Sequence, residues 1–220
     1  MKNFTHIDFD LGYDLTTKNN GYRVYETPTG EKYPSITSIL SILSKKSIEE
    51  WKKRIGHEKA NKISRQASNR GTKVHELTEK YINNDPEYNL GYFPDVISSF
   101  KKIKPELNKI DNILLQEAAL YSDELKIAGR VDCIADYDGK LSIIDFKTSR
   151  KPKKREWIDS YFMQAAFYGK AFHERTGIKI NQSVIIIAVD GFEPQVFTDE
   201  VDKWIPKLIE VKKQWAEEYV

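Results

Sequence analysis

The dipeptide Asp138-Gly139 constrains this chain more than any other feature. Both residues tolerate positive φ, which a two-residue hairpin turn demands, and the pair sits between two apolar-rich runs, 127–137 and 140–148. A turn of that length sets Tyr137 opposite Lys140, and the rest of the antiparallel register follows. Asp132 then faces Asp145 across the ladder, with both side chains on one face. At a Cβ separation of about 5 Å their repulsion is roughly 3 kcal/mol for an effective dielectric near 20, more than the ~1 kcal/mol a good cross-strand pair supplies. Something must compensate: a shared proton, Arg130 or Lys147, or a divalent cation that accepts hard oxygen ligands. The same register expects Val131, Cys133, Ile144 and Phe146 to point together into a core, with Arg130, Asp132, Asp145 and Lys147 on the other side. A metal beside the Lys147 ammonium is suited to phosphodiester hydrolysis, where water is activated and charge builds on phosphoryl oxygens. The competing reading is a solvated hairpin with alternating charges, and Asp-x-Lys by itself is too common to exclude it.

The remaining chain reads as helices, a strand cluster, a helix, a strand and a helix. Residues 22–26 and the turn-like Pro28-Thr29-Gly30 suggest an early hairpin, and Pro34-Ser35 leads into a short helix through Ile36, Ile39, Leu40 and Leu43. From Ser47, read as an N-cap, helical character runs to about Ile82, with breaks near Gly56 and Gly71. Asn83-Asn84-Asp85-Pro86 ends it. Val96, Ile97, Phe100, Ile103 and Leu107 recur at helical spacing. Strands are expected at 112–122, 127–137 and 140–148, a basic loop at 150–155, a helix at 160–175, a buried strand at 179–189 and a closing helix at 201–217. The expectation is an α/β fold with one central mixed sheet flanked by helices. It forms a single domain over 1–220, with an N-terminal hairpin and helical region at 1–82, a sheet core at 112–190 and a closing helix at 200–220.

Composition narrows the class of partner. Two hundred and twenty residues with 40% apolar content and 12% aromatics can bury a core, which argues against wholesale disorder and a pure coiled coil. A formal charge of +2 names no partner, so any basic surface is local. Residues 45–80 hold eleven Lys or Arg against five Glu, and a basic run occupies 150–155. A single cysteine, Cys133, leaves no internal disulfide, four-cysteine zinc site or four-cysteine iron-sulfur cluster within one chain. The N-terminal segment carries Asp8, Asp10 and Asp14 without an apolar run, which argues against a signal or transit peptide, and no stretch approaches the ~20 apolar residues of a membrane span. A protein of the cytoplasm, in a bacterium or a virus-infected cell and with no membrane partner, is expected.

Gly129-Arg130-Val131-Asp132 followed by Asp145-Phe146-Lys147-Thr148-Ser149 resembles the core of the PD-(D/E)XK nucleases. The subgroup it resembles is that of RecB-type exonuclease domains, with the mitochondrial genome maintenance and phage-type exonucleases. Arg70-Gly71-Thr72-Lys73-Val74-His75-Glu76 is similar to the subgroup's helical histidine motif, Gln164-Ala165-Ala166-Phe167-Tyr168 to its QxxxY helix, and Tyr33-Pro34-Ser35-Ile36-Thr37 to a short motif near the start of some members. The ordered set over residues 33–190 carries the resemblance. Val131 replaces the eponymous proline, and the iron-sulfur cluster of some subgroup members cannot form on Cys133 alone. No P-loop is present, so a helicase function would belong to another chain.

The resemblance implies that His75, Asp132 and Asp145 bind a catalytic Mg2+ or Mn2+, with the Phe146 backbone carbonyl as a further ligand. Imidazole among oxygen donors tilts the preference toward Mn2+. The competing view of His75 is a structural histidine beside Val74, Leu77 and Tyr81. Glu117, on the strand before Asp132, holds a second metal or orients water. Lys147 positions or deprotonates the attacking water and offsets developing charge, against the simpler reading of an ion pair with Asp145. Gln164 and Tyr168 position DNA near the scissile phosphate, with a core tyrosine as the alternative. Arg70, Arg130, Thr148, Arg150 and Lys153 complete the candidate nucleic-acid contacts, and Trp51 and Trp157 are available to stack bases. The implied activity is a divalent-metal-dependent DNA exonuclease acting on single-stranded DNA with a free end, in DNA replication, repair or recombination and alongside proteins of those processes. The alternatives are a structure-selective endonuclease of flaps or junctions, and a nucleic-acid-binding subunit with an inactive site.

Overall fold

A computed structural model describes residues 2–19 and 21–219 of the chain. A small antiparallel sheet opens it, with β1 (Thr16–Asn19), β2 (Arg23–Glu26) and β3 (Lys32–Pro34) in that order. Helices α1 (Ile36–Leu40), α2 (Ile42–Ile55), α3 (His57–Ile82) and α4 (Pro94–Leu107) follow. The main sheet has the order β4 (Ile110–Ser122), β5 (Ile127–Tyr137), β6 (Lys140–Ser149), β7 (Gln182–Val189) and β8 (Gln195–Glu200). All its neighbours are antiparallel except β6 and β7, whose parallel pairing requires the crossover supplied by α5 (Asp159–Thr176). Helix α6 (Ile205–Tyr219) closes the fold. No helix among the described residues is long and apolar enough to cross a membrane.

The sheet is covered on both faces. In β7, Ile185, Ile187 and Val189 enter one core with α1, α5 and α6, while Val184, Ile186 and Ala188 enter the other with α3 and α4. This two-sided burial is why 184–189 is an unbroken apolar run. Asp138 and Gly139 have φ of 51° and 77°, the double positive turn their sequence called for, and Tyr137 pairs with Lys140 as expected.

Several expectations are corrected. The helix read from Ser47 begins earlier, at Ile42, while its expected break near Gly56 is present, where the φ of 88° is one a side chain resists. Ser47 lies inside α2, its hydroxyl donating to the Ser44 carbonyl rather than capping. At Gly71 α3 runs on unbroken, and the missing side chain serves packing instead, since a Cβ there would sit 3.2 Å from Thr148 Oγ1. Strands β1 and β8 are outside the sequence expectation; both are short, β1 solvated and β8 mostly half-buried. Val131 does not share a core with Cys133, Ile144 and Phe146. It packs with Ile134 on the α5 face, next to the point where Glu117 (φ 49°) and Asp132 drop out of the β4–β5 pairing.

Candidate active site

The β5–β6 ladder ends at Cys133 and Ile144, one residue before the two aspartates. Beyond that point a side chain replaces a main-chain partner: the Phe146 amide donates to Asp132 Oδ2 at 2.8 Å. The carboxylate therefore stands in the gap where the strands part. Helix α3 crosses above, and His75 places Nε2 2.9 Å from Asp132 Oδ2 and Nδ1 3.3 Å from Glu117 Oε1. Glu117 reaches this point from β4 because its left-handed backbone turns the side chain toward α3. The neighbouring Gln116 anchors the crossing by donating to the Glu79 carbonyl at 2.9 Å. Asp145 lies beside the trio rather than in it, with its buried carboxylate accepting from the Lys147 ammonium.

The expected repulsion between Asp132 and Asp145 is thus answered by different partners: His75 and the Phe146 amide at Asp132, the Lys147 ammonium at Asp145. Burial alone would lower the His75 pKa, but the Asp132 hydrogen bond and the charges of Asp132 and Glu117 raise it to about 9. Asp132 stays below the usual carboxylate range despite its burial, held there by His75, Lys147 and the Phe146 amide. Burial pushes Asp145 above that range against the pull of Lys147. Burial also lifts Glu117 to about 7, helped by Asp132 and Glu79. Lys147 is held above its ordinary pKa because Asp145 and Asp132 outweigh its own burial.

One oxygen or nitrogen from each of His75, Glu117 and Asp132 lies within 4.8 Å of the others, and Glu117 Oε1 is buried without a hydrogen-bond partner. An imidazole with hard carboxylate oxygens, one of them lacking a donor, is a donor set that fits a divalent cation of the Mg2+ or Mn2+ class. His75 and Glu117 of the trio line a cleft of about 800 Å³, together with Arg23, Thr37, Gly71, Lys147 and Thr148.

Other anticipated residues are placed differently. Arg130 is exposed and its guanidinium donates to the Glu117 carbonyl. Arg70 is ion-paired with Asp190. Arg70 and Arg150 line another pocket with Lys73 and Phe93, which shares Ala67 and Thr72 of α3 with the cleft. Lys153 is tied through its main chain to Gln195, at 2.6 and 2.9 Å. Gln164 and Tyr168 do come together, at 3.3 Å, but both are buried, and the Tyr168 hydroxyl donates to the Arg130 carbonyl at 2.6 Å. Their packing steadies the strand that carries Asp132. Trp157 is exposed, with the Lys154 ammonium 5.3 Å from its ring centre. Tyr161 was overlooked: its ring centre is 5.3 Å from the Lys147 ammonium. Its signal was present, since Tyr161 precedes Gln164 and Tyr168 by three and seven positions on one helix.

A mixed sheet that parts its central strands around clustered carboxylates, with a lysine two residues on, defines a hydrolytic nuclease core. Residues 94–219 match the PD-(D/E)XK nuclease superfamily, and the chain belongs to that family of nucleases. It is similar to mitochondrial genome maintenance exonuclease 1 of Xenopus tropicalis, at 27% identity over 96% of this chain and 65% of the relative. The Mus musculus protein of that name is 28% identical over 80% of this chain and 58% of its own length. For the Homo sapiens protein the identity is 27% over 73% of this chain and 50% of the relative. The chain thus spans half to just under two thirds of these relatives.

Proposed function

We propose that this nuclease is a divalent-metal-dependent DNA exonuclease that hydrolyses phosphodiester bonds from single-stranded ends. The observation that carries the reading is the meeting of His75, Glu117 and Asp132 beside the Asp145–Lys147 pair, with His75, Glu117 and Lys147 at the wall of a cleft. Relatives named for genome maintenance and exonuclease activity support DNA as the substrate and work in replication or repair.

His75, Glu117 and Asp132 would hold Mg2+ or Mn2+, with Asp145 joining when it exchanges its contact with Lys147. The Phe146 carbonyl leaves the strand on the same side as its amide, toward the gap that Asp132 occupies, and is a further donor. A divalent ion held there supplies Lewis acidity toward the phosphoryl oxygens and toward water. Lys147, an ammonium at neutral pH, orients the attacking water and balances the charge that grows on the phosphoryl group. Tyr161 fixes its direction from one side and Asp145 from the other.

Digestion of linear and circular single-stranded DNA with Mg2+, Mn2+ or EDTA, beside Asp145→Asn, tests this reading. Metal-dependent loss of the linear strand alone, absent in the variant, is expected. Cutting of the circle would make the protein an endonuclease, and binding of both without cutting would make it an inactive binding protein.

A further inference from the structure

A second cavity of about 440 Å³ adjoins the catalytic cleft, and Arg23 and Thr37 line both. Its walls come from three separate parts of the chain: Tyr22 and Arg23 at the start of β2, Thr37, Ser38 and Ser41 on and after α1, and Trp215 and Tyr219 at the end of α6. The volume suits a single nucleotide-sized ligand.

The polar wall has an unspent donor. Ser35, nearly fully buried, receives the Ser38 amide on its Oγ at 3.0 Å, and the same oxygen lies 3.0 Å from Thr37 Oγ1 and 2.8 Å from Ser38 Oγ. A hydroxyl oxygen has two lone pairs, and the amide takes one. Only one of the Thr37 and Ser38 hydroxyl protons can therefore be directed at Ser35, so the other is free for an acceptor in the cavity. Arg23 is exposed beside these hydroxyls and makes no ion pair among the described residues, while its carbonyl accepts from the Ser35 amide. A guanidinium and a free hydroxyl proton on one rim are groups that recognise phosphate.

The opposite wall is aromatic. Trp215 is buried and stacks on Tyr219, with ring centres 5.5 Å apart and planes 16° from parallel. Tyr22 meets Trp215 edge to face at 4.9 Å. Buried Trp215 thus holds two partly exposed tyrosines in place, so a base placed against them meets rings already ordered.

We infer that this cavity is a nucleotide subsite for the strand whose scissile phosphate lies in the catalytic cleft: Arg23 with the Thr37 and Ser38 hydroxyls takes a phosphate, and Tyr22 with Tyr219 takes its base. The inference rests on the exonuclease reading and extends it. Such a site accepts any base, since every base offers a π face, and it excludes a paired duplex, whose bases are already stacked and covered.

The test is an abasic scan. Initial rates with Mn2+ are measured on linear single-stranded oligonucleotides carrying one abasic nucleotide at successive distances from each end, for the wild type, Tyr22→Ala and Arg23→Gln. The expected result is one position at which the abasic nucleotide costs the wild type about tenfold in kcat/KM. Tyr22→Ala should be insensitive at that position, and Arg23→Gln should flatten the log–log salt dependence by about 0.7. Tyr22→Phe should restore the wild-type pattern, which a folding defect at that site would not produce. If the wild type digests the strand but no position stands out, or both variants keep the wild-type pattern, the subsite is overturned while the exonuclease reading stands. If the wild type digests no linear strand, the exonuclease reading fails and the subsite with it.

Discussion

The Tyr168 hydroxyl donates to the Arg130 main-chain carbonyl at 2.6 Å, and Gly129, next to that carbonyl, gives the ring room to approach. The bond ties α5 to β5 two residues before Asp132. Tyr168→Phe removes the donor and leaves a carbonyl in a largely covered place without it. A loss of about 1–2 kcal/mol in urea unfolding is expected.

Gly129→Ala attacks the same contact from the other side. Its Cβ would sit 2.9 Å from Ile36 Cγ2 and 3.0 Å from Tyr168 Cε1, both on fully packed neighbours. Overpacking of this kind costs about 1–3 kcal/mol. Because Tyr168 must move to admit the methyl, Gly129→Ala and Tyr168→Phe should be non-additive in a double-mutant cycle followed by denaturant midpoints.

Lys147→Ala should separate chemistry from binding. The ammonium faces Asp145 and developing charge at the phosphoryl group, so kcat should fall by about 10²–10³ with little change in KM. Equal losses in substrate affinity, measured by steady-state kinetics on a linear strand, would assign Lys147 to binding instead.

Metal removal can be read without activity. Mn2+ at about one hundred times its dissociation constant should stabilise the wild type by about 2.7 kcal/mol, seen as a rise in Tm that EDTA reverses. His75→Ala deletes one donor of the trio and Glu117→Ala another, and each should lose most of that rise.

Acidification should release the C-terminal end of the fold through Asp199. Burial would raise its pKa, but Lys203, the Glu200 amide, Trp204 and Arg155 outweigh this and hold it below the usual carboxylate value. A depressed carboxylate contributes stability above its unfolded pKa of about 3.9, and that contribution is lost as pH falls through the lower folded value. Asp199→Asn should therefore be less stable than the wild type at pH 7, with the gap closing below pH 4 in acid-unfolding curves.

The Asp138-Gly139 turn and the alternation around it determined the β5–β6 register locally, since turn length dictates pairing at short range. The same local logic made α3, α4, α5 and the buried β7 legible, and it put Asp132, Asp145 and Lys147 at one end of a hairpin. It failed where partners are distant in sequence. Nothing near Glu117 announces that its left-handed backbone will aim the carboxylate at His75, forty-two positions earlier, or that Val131 will pack on the α5 face. Strand β8 is polar on its exposed side and gains its pairing only from β7, so its own pattern was silent. Gln164 and Tyr168 were recognised as a pair, but only the packing of α5 against Gly129 decided that both are buried. Residue chemistry and short-range geometry were written in the sequence. Which carboxylate meets which cation was decided by the tertiary structure, because charge pairing depends on distance in space, and α3 must cross the sheet before His75 stands between Glu117 and Asp132.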